Sequence, residues 1–158
     1  MNITLTGASG FLGKRLVTRL LEGGHRLHLA GRRPPEDGQP DVRFSFWPSA
    51  AAPFPASAVE AADGVIHLAG EPVAQRWNTE AKERIRSSRV DGTRRVVEAM
   101  GEANRRPAVL VCTSASGFYG DRGEEILTED SRPGEGFLAD VCVEWERAAD
   151  TARAIGVR

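Results

Sequence analysis

The sequence has 158 residues, with 21 lysines and arginines against 22 aspartates and glutamates, a formal net charge of −1. A balance so near zero excludes a bulk electrostatic grip on nucleic acid or anionic membrane, which needs clustered positive charge. Hydrophobic residues make up 41% and charged residues 27%, which excludes a disordered, collagen-like or disulfide-dense chain and points to one globular domain over residues 1–158.

Only two lysines are present, Lys14 and Lys82, so no mechanism can use a lysine after residue 82. Tyr119 is the only tyrosine. The two cysteines, Cys112 and Cys142, sit in apolar stretches without metal-ligand spacing and read as reduced thiols. The start, MNITLTGASG, has no charged segment followed by an apolar one. No apolar run approaches the roughly 20 residues that cross a bilayer, so a soluble cytoplasmic protein is expected.

Residues 2–6, NITLT, form a β-prone run stopped by Gly7. Leu12, Leu16 and Leu20, with Val17 and Leu21, then recur at helical spacing until Gly23 and Gly24 end the helix. Residues 25–30 predict a second strand, 31–40 a loop, 42–47 a third strand, and 57–62 a short helix. The glycine-bounded run GVIHLAG, 64–70, suits a strand buried on both faces. Asn78 is placed to cap a helix reaching Ala103; AVLVCTS, 108–114, is the next buried strand, the fifth, and a last helix covers about 136–154. The final residues, IGVR, read as the start of a sixth strand. Strands alternating with helices predict an α/β fold, a doubly wound parallel sheet of Rossmann-like type, truncated before its last strands. An unpaired edge there would invite a homodimer.

Gly7-Ala8-Ser9-Gly10-Phe11-Leu12-Gly13 is a G-x-x-G-x-x-G run between the first strand and first helix. Glycines there permit a sharp turn and close backbone approach, while free amides and the positive helix end suit a pyrophosphate. Its bland alternative is an ordinary tight turn. Where the second strand ends, a carboxylate would select the ribose hydroxyls of NAD; this sequence has Gly31-Arg32-Arg33 instead. Arg32 and Arg33 suit a 2′-phosphate, which favours NADP with NAD as the alternative. Two solvated loop arginines are the plainer reading.

TGASGFLG, the VIHLAG strand end, RVDGT on the long helix and TSASGFYG after the fifth strand resemble, in order and spacing, the extended short-chain dehydrogenase/reductases. More narrowly, QRWN with IRSSRVDGTRRVVEAM, SASGFYG and GFLADVCVEWERAA resemble the atypical branch labelled NAD-dependent epimerase/dehydratase or epimerase family protein. The resemblance implies that Gly7, Ser9, Gly10, Phe11, Leu12 and Gly13 hold the pyrophosphate. It implies that Leu68, Ala69 and Gly70 pass beside adenosine and ribose, and that Ser114 faces the reacting oxygen. Asp91 stands where the family more often has an asparagine holding a water. Familiar members are about twice as long, so the resemblance casts this chain as the cofactor-binding part without its C-terminal substrate-binding part.

One departure is large. The superfamily's proton shuttle is Tyr-x-x-x-Lys, because a phenol of pKa near 10 needs an adjacent ammonium to act near neutrality. The equivalent positions hold Leu138 and Cys142, or Phe137 and Val141 one register away. Tyr119 lies in the segment that resembles a substrate-facing Tyr-Gly and is the candidate assisting hydroxyl. The carboxylates Glu129, Asp130, Glu144 and Glu146 are weaker acid–base candidates, and Arg76 with Trp77 could meet a substrate anion and a ring face. His25, His28 and His67 lack partners at metal spacing, and no metal is expected. The expected function is an NADP(H)-dependent oxidoreductase or epimerase acting on a small carbonyl or sugar-nucleotide-like molecule. Its rival is a non-catalytic NADP-binding sensor or scaffold.

Overall fold

The computed structural model describes residues 1–35 and 38–158; of the loop expected at 31–40, residues 36 and 37 lie outside the described residues. In chain order the elements are β1 (Asn2–Thr6), α1 (Phe11–Glu22), β2 (Arg26–Gly31), β3 (Val42–Phe46), α2 (Ala56–Val59), β4 (Gly64–His67), α3 (Thr79–Glu102), β5 (Val109–Cys112) and α4 (Phe137–Asp150). Two 3-10 turns, Ser116–Tyr119 and Thr151–Ile155, follow β5 and α4. Five parallel strands lie in the order β3-β2-β1-β4-β5, with Thr6 paired to Ala30 on one side and His67 on the other.

Each face of β1 is buried because its side chains alternate between two layers. Ile3 and Leu5 join Leu27 and Leu29 beneath Val17, Leu20 and Leu21 of α1. Thr4 and Thr6 face the other layer, where Val59, Val65, Val96 and Met100 form the larger cluster. Thr4 sits there without penalty because its hydroxyl donates to the Ala58 carbonyl. Each fully buried aliphatic side chain contributes roughly 1.5–3 kcal/mol, so the two layers fix which face of the sheet α1 covers.

Local signals explain most boundaries. Gly23 and Gly24 close α1, their amides bonding to Arg19 and Leu21 carbonyls, and Gly24 takes a φ of +72°. Asn78 accepts from the Ala81 amide at 2.7 Å, which caps α3 as its residue type predicts. Three expectations need correcting. β5 is not a buried strand: it lies at the sheet edge and Val111 is 50% exposed. β4 ends at His67, and Leu68 to Gly70 leave the sheet as irregular backbone because the Thr6 hydroxyl, not a strand, takes two of their amides. The last helix stops at Asp150 and tightens into the 3-10 turn; of the expected sixth strand, only Arg158 pairs, donating to Ala108 and accepting from Leu110 on the outer side of β5.

Candidate functional site

The order reverses between β1 and β4, so the loops after these strands diverge and leave a crevice above the sheet. Gly7 begins the turn there at φ +71°, and a Cβ on it would stand 2.7 Å from the Leu68 carbonyl carbon and 2.9 Å from the Ala69 amide. A Cβ on Gly13 would overlap the Gly7 carbonyl oxygen and lie 2.7 Å from the Ala8 Cα. Gly10 donates to the Gly7 carbonyl at 3.0 Å and stands at the α1 N-cap, where no side chain caps the helix and its first turn holds no acidic residue. The first amides of α1 thus meet no side-chain acceptor, and the dipole's positive end faces the crevice. Backbone donors behind a turn too tight for a Cβ at Gly7 or Gly13 fit a pyrophosphate. Ser9, Phe11 and Leu12 are exposed around this opening, Phe11 at 77% and Leu12 at 56%, and Arg15 lies over the Phe11 ring.

Thr6 ties the two crevice walls together. Its buried hydroxyl accepts from the Leu68 and Ala69 amides at 3.1 Å each and donates to His67 Nδ1 at 2.7 Å. His67 therefore carries its ring proton on Nε2, which is buried without a partner among the described residues. Burial pushes the His67 pKa down to about 4, so the ring is neutral at physiological pH. Leu68 and Ala69 are held at the crevice by these bonds, and Gly70 follows them. Arg32 and Arg33 are exposed just past β2, on the opposite flank.

Beyond β5, the Ser114 hydroxyl is exposed and donates to Glu146 Oε1 on α4. Cys142, one turn earlier, lies 3.9 Å from the Ala115 carbonyl. A Cβ on Gly117 would meet Leu138 Cβ at 3.3 Å and Cys142 Sγ at 3.9 Å, so Leu138 and Cys142 face the Ser114–Tyr119 segment. Phe137 turns away to meet Trp77 edge-on at 5.5 Å, and Val141, like Cys142, is buried. Burial raises the Cys142 thiol pKa, the charge of Glu146 adds to this, and the Arg89 guanidinium opposes it. Tyr119 is half-buried against Phe118 at 5.2 Å, and its hydroxyl makes no hydrogen bond among the described residues. Gly134 fixes the neck of the following loop by donating to the Phe118 carbonyl at 2.9 Å.

Some candidates are engaged elsewhere. Glu144 pairs with Arg86 at 2.6 Å, and Asp91 with Arg94 at 3.1 Å on the surface of α3. Trp77 donates to the Val73 carbonyl, and Lys82 lies over the Trp77 and Phe137 rings. Sequence reasoning did not single out Thr6 or Arg89, and it ranked Glu146 with other surface carboxylates. For Glu146 a signal was present: residues 138, 142 and 146 recur every four positions and share a helix face.

A parallel sheet that reverses at the first glycine turn defines the doubly wound α/β class whose ligands lie above the strand ends. The chain belongs to the NAD dependent epimerase/dehydratase family, whose profile matches residues 3–145. It is 35% identical over 159 residues to the epimerase family protein YfhF of Bacillus subtilis, covering 100% of this chain and 52% of that protein. A nucleoside-diphosphate sugar epimerase from Corynebacterium glutamicum is similar in structure, with a TM-score of 0.80 and 36% identity over 100% of this chain and 32% of the other. The human epimerase family protein SDR39U1, solved with NADPH, gives a TM-score of 0.76 and 27% identity, covering 94% of this chain and 48% of that one. The chain spans about half the length of the curated relatives it matches. Among the described residues, no helix is long and apolar enough to cross a membrane.

Proposed function

We propose that residues 1–158 form the cofactor-binding domain of an NADP(H)-dependent oxidoreductase or epimerase, with NAD as the alternative cofactor. The observation that carries this reading is the glycine turn, where Cβ atoms on Gly7 and Gly13 would collide with backbone. Gly7, Ser9, Gly10, Phe11, Leu12 and Gly13 would surround the pyrophosphate, Leu68 to Gly70 the adjoining ribose, and Arg32 with Arg33 a 2′-phosphate. The human relative solved with NADPH supports the cofactor class, and the Corynebacterium epimerase supports a sugar-nucleotide-like substrate. Both are similar proteins of greater length, this chain covering 32% of one and 48% of the other, and the substrate-binding part would lie in the remainder. A cytoplasmic location fits this reading.

The bound nicotinamide supplies hydride chemistry, and the protein orients the substrate and handles the proton. Ser114 donates to Glu146, so its Oγ lone pairs are available to a substrate hydroxyl. A proton leaving that hydroxyl passes to Ser114 Oγ while the serine proton passes to Glu146 Oε1; reduction of a carbonyl runs the same transfers backward. Tyr119 offers a second hydroxyl nearby in the chain. A binding-only sensor is the second reading, favoured by the absence of a Tyr-x-x-x-Lys pair, whose equivalent positions hold Leu138 and Cys142 or Phe137 and Val141.

Fluorescence titration with NADPH and NADH tests the reading directly. NADPH should bind more tightly, and Arg32→Ala with Arg33→Ala should remove the preference. Equal affinities, or an unchanged preference in the double variant, would refute the 2′-phosphate assignment. NADPH oxidation in the presence of carbonyl compounds that Ser114→Ala abolishes, without loss of NADPH binding, would exclude the sensor.

A further inference from the structure

Arg89 packs against Gly70, at the end of the Leu68–Gly70 segment, yet none of the roles above employs it. It belongs to α3, and its half-buried guanidinium donates through Nη1 to the Glu71 carbonyl at 3.0 Å and to the Ile85 carbonyl at 3.1 Å. Its Cζ sits 5.4 Å from the centre of the Trp145 ring on α4. A Cβ on Gly70 would stand 3.3 to 3.4 Å from Cζ, Nη1 and Nη2, so the guanidinium fits against this residue because it has no side chain. Arg89 and Cys142 are close enough for each charge to alter the other's protonation.

A guanidinium has five N–H donors. Nη1 uses its two; Nε and Nη2 make no hydrogen bond and no ion pair among the described residues. These three donors are not buried and are free to meet the acceptor oxygens of a ligand. The topology says which oxygens can reach them. A dinucleotide gripped at its pyrophosphate by the Gly7–Gly13 turn extends one half over β2, toward Arg32 and Arg33, and the other over β4 and β5. Ala115 and Cys142, beyond β4, lie on the second side, where α4 offers no lysine. No lysine follows residue 82, so no other ammonium from the chain's second half can stand there.

We propose that Arg89 is a cofactor-binding residue for the nicotinamide half of the dinucleotide, its Nε and Nη2 donors holding the ribose hydroxyls on that half. The cation that the Tyr-x-x-x-Lys pattern would place on α4 comes here from α3, braced by Trp145 and the Glu71 carbonyl. This deepens the cofactor reading and rests on it.

The test compares NADPH with adenosine 2′,5′-bisphosphate, which keeps the adenosine side and lacks the nicotinamide ribose, by calorimetric titration of the 158-residue protein. Arg89→Met should weaken NADPH by at least about tenfold and leave the bisphosphate unchanged. Arg89→Lys, which keeps the charge but loses the planar fork, should weaken NADPH by a smaller factor, again alone. If Arg89→Met does not fold by circular dichroism, the lysine variant carries the same comparison. Equal losses for both nucleotides would show that Arg89 is only a strut between the β4 loop and α4, and would overturn the proposal. No loss for either overturns it as well. Wild-type protein that binds the bisphosphate as tightly as NADPH contradicts Arg89 alone, whereas failure to bind either, or the matching pair NADH and ADP, removes the cofactor reading and this assignment with it.

Discussion

Adding one methyl at each of three glycines should produce a graded series. Gly7 is the most demanding because two penalties coincide. Its φ of +71° costs a side chain about 1–2 kcal/mol. Its Cβ would also press on Leu68 and Ala69 backbone at 2.7 to 2.9 Å, and overpacking against atoms that cannot rotate aside adds about 1–3 kcal/mol. Gly7→Ala should therefore lower unfolding free energy by about 2–5 kcal/mol and push the β1 and β4 loops apart. Gly13→Ala meets the Gly7 carbonyl and Ala8, against which the better helix propensity of alanine returns only about 1 kcal/mol, so a net loss of about 2 kcal/mol is expected. Gly10 has a φ of −75° and a single neighbour at 3.2 Å, so Gly10→Ala should cost less than about 1 kcal/mol. Urea unfolding monitored by circular dichroism gives the ranking, and NADPH titration of the folded variants should show losses beyond about tenfold for Gly7 and Gly13. The reasoning fails if Gly7→Ala matches wild type in both measurements or if Gly10→Ala proves the most damaging.

His67 makes stability depend on pH. The folded ring takes its proton near pH 4 and an unfolded histidine near 6.5, so between these values the unfolded chain binds the extra proton and stability rises with pH. At about 1.4 kcal/mol for each pH unit the whole effect is about 3 kcal/mol. His28, also lowered by burial and by Arg43, acts with the same sign. The double variant Thr6→Val with His67→Leu should flatten most of that slope in urea titrations from pH 4 to 7; an unchanged slope would show that His67 is not the source. For the proton path, Glu146→Gln should reduce NADPH-dependent carbonyl turnover at least tenfold with little change in NADPH affinity, and Glu146→Asp should recover part of the rate. Full activity in Glu146→Gln, measured by absorbance of the reduced cofactor, would contradict a route through Ser114.

The fold was legible because its signals are local. NITLT before a glycine, leucines at helical spacing, paired glycines after them and Asn78 before an amphipathic stretch each name one element, and parallel order follows from their alternation. What escaped the sequence lies between elements distant in the chain. Ser114 and Glu146 are 32 residues apart and meet only when α4 folds back on β5. Thr6 reads as one more β-former in NITLT; its role appears when β4 ends early and presents two amides to it. Arg89 is one of five arginines on α3, most of which face solvent, and its contacts with Trp145, the Glu71 carbonyl and the side-chain-free Gly70 distinguish it.

An amide-resolved NMR titration of the 15N-labelled protein with NADPH goes straight to the central claim that the backbone of the first turn grips a diphosphate. Saturable shifts should be largest at Gly7 to Gly13, extend to Leu68, Ala69 and Gly70, and vanish in Gly13→Ala. Binding that leaves those amides unmoved while others respond would contradict it.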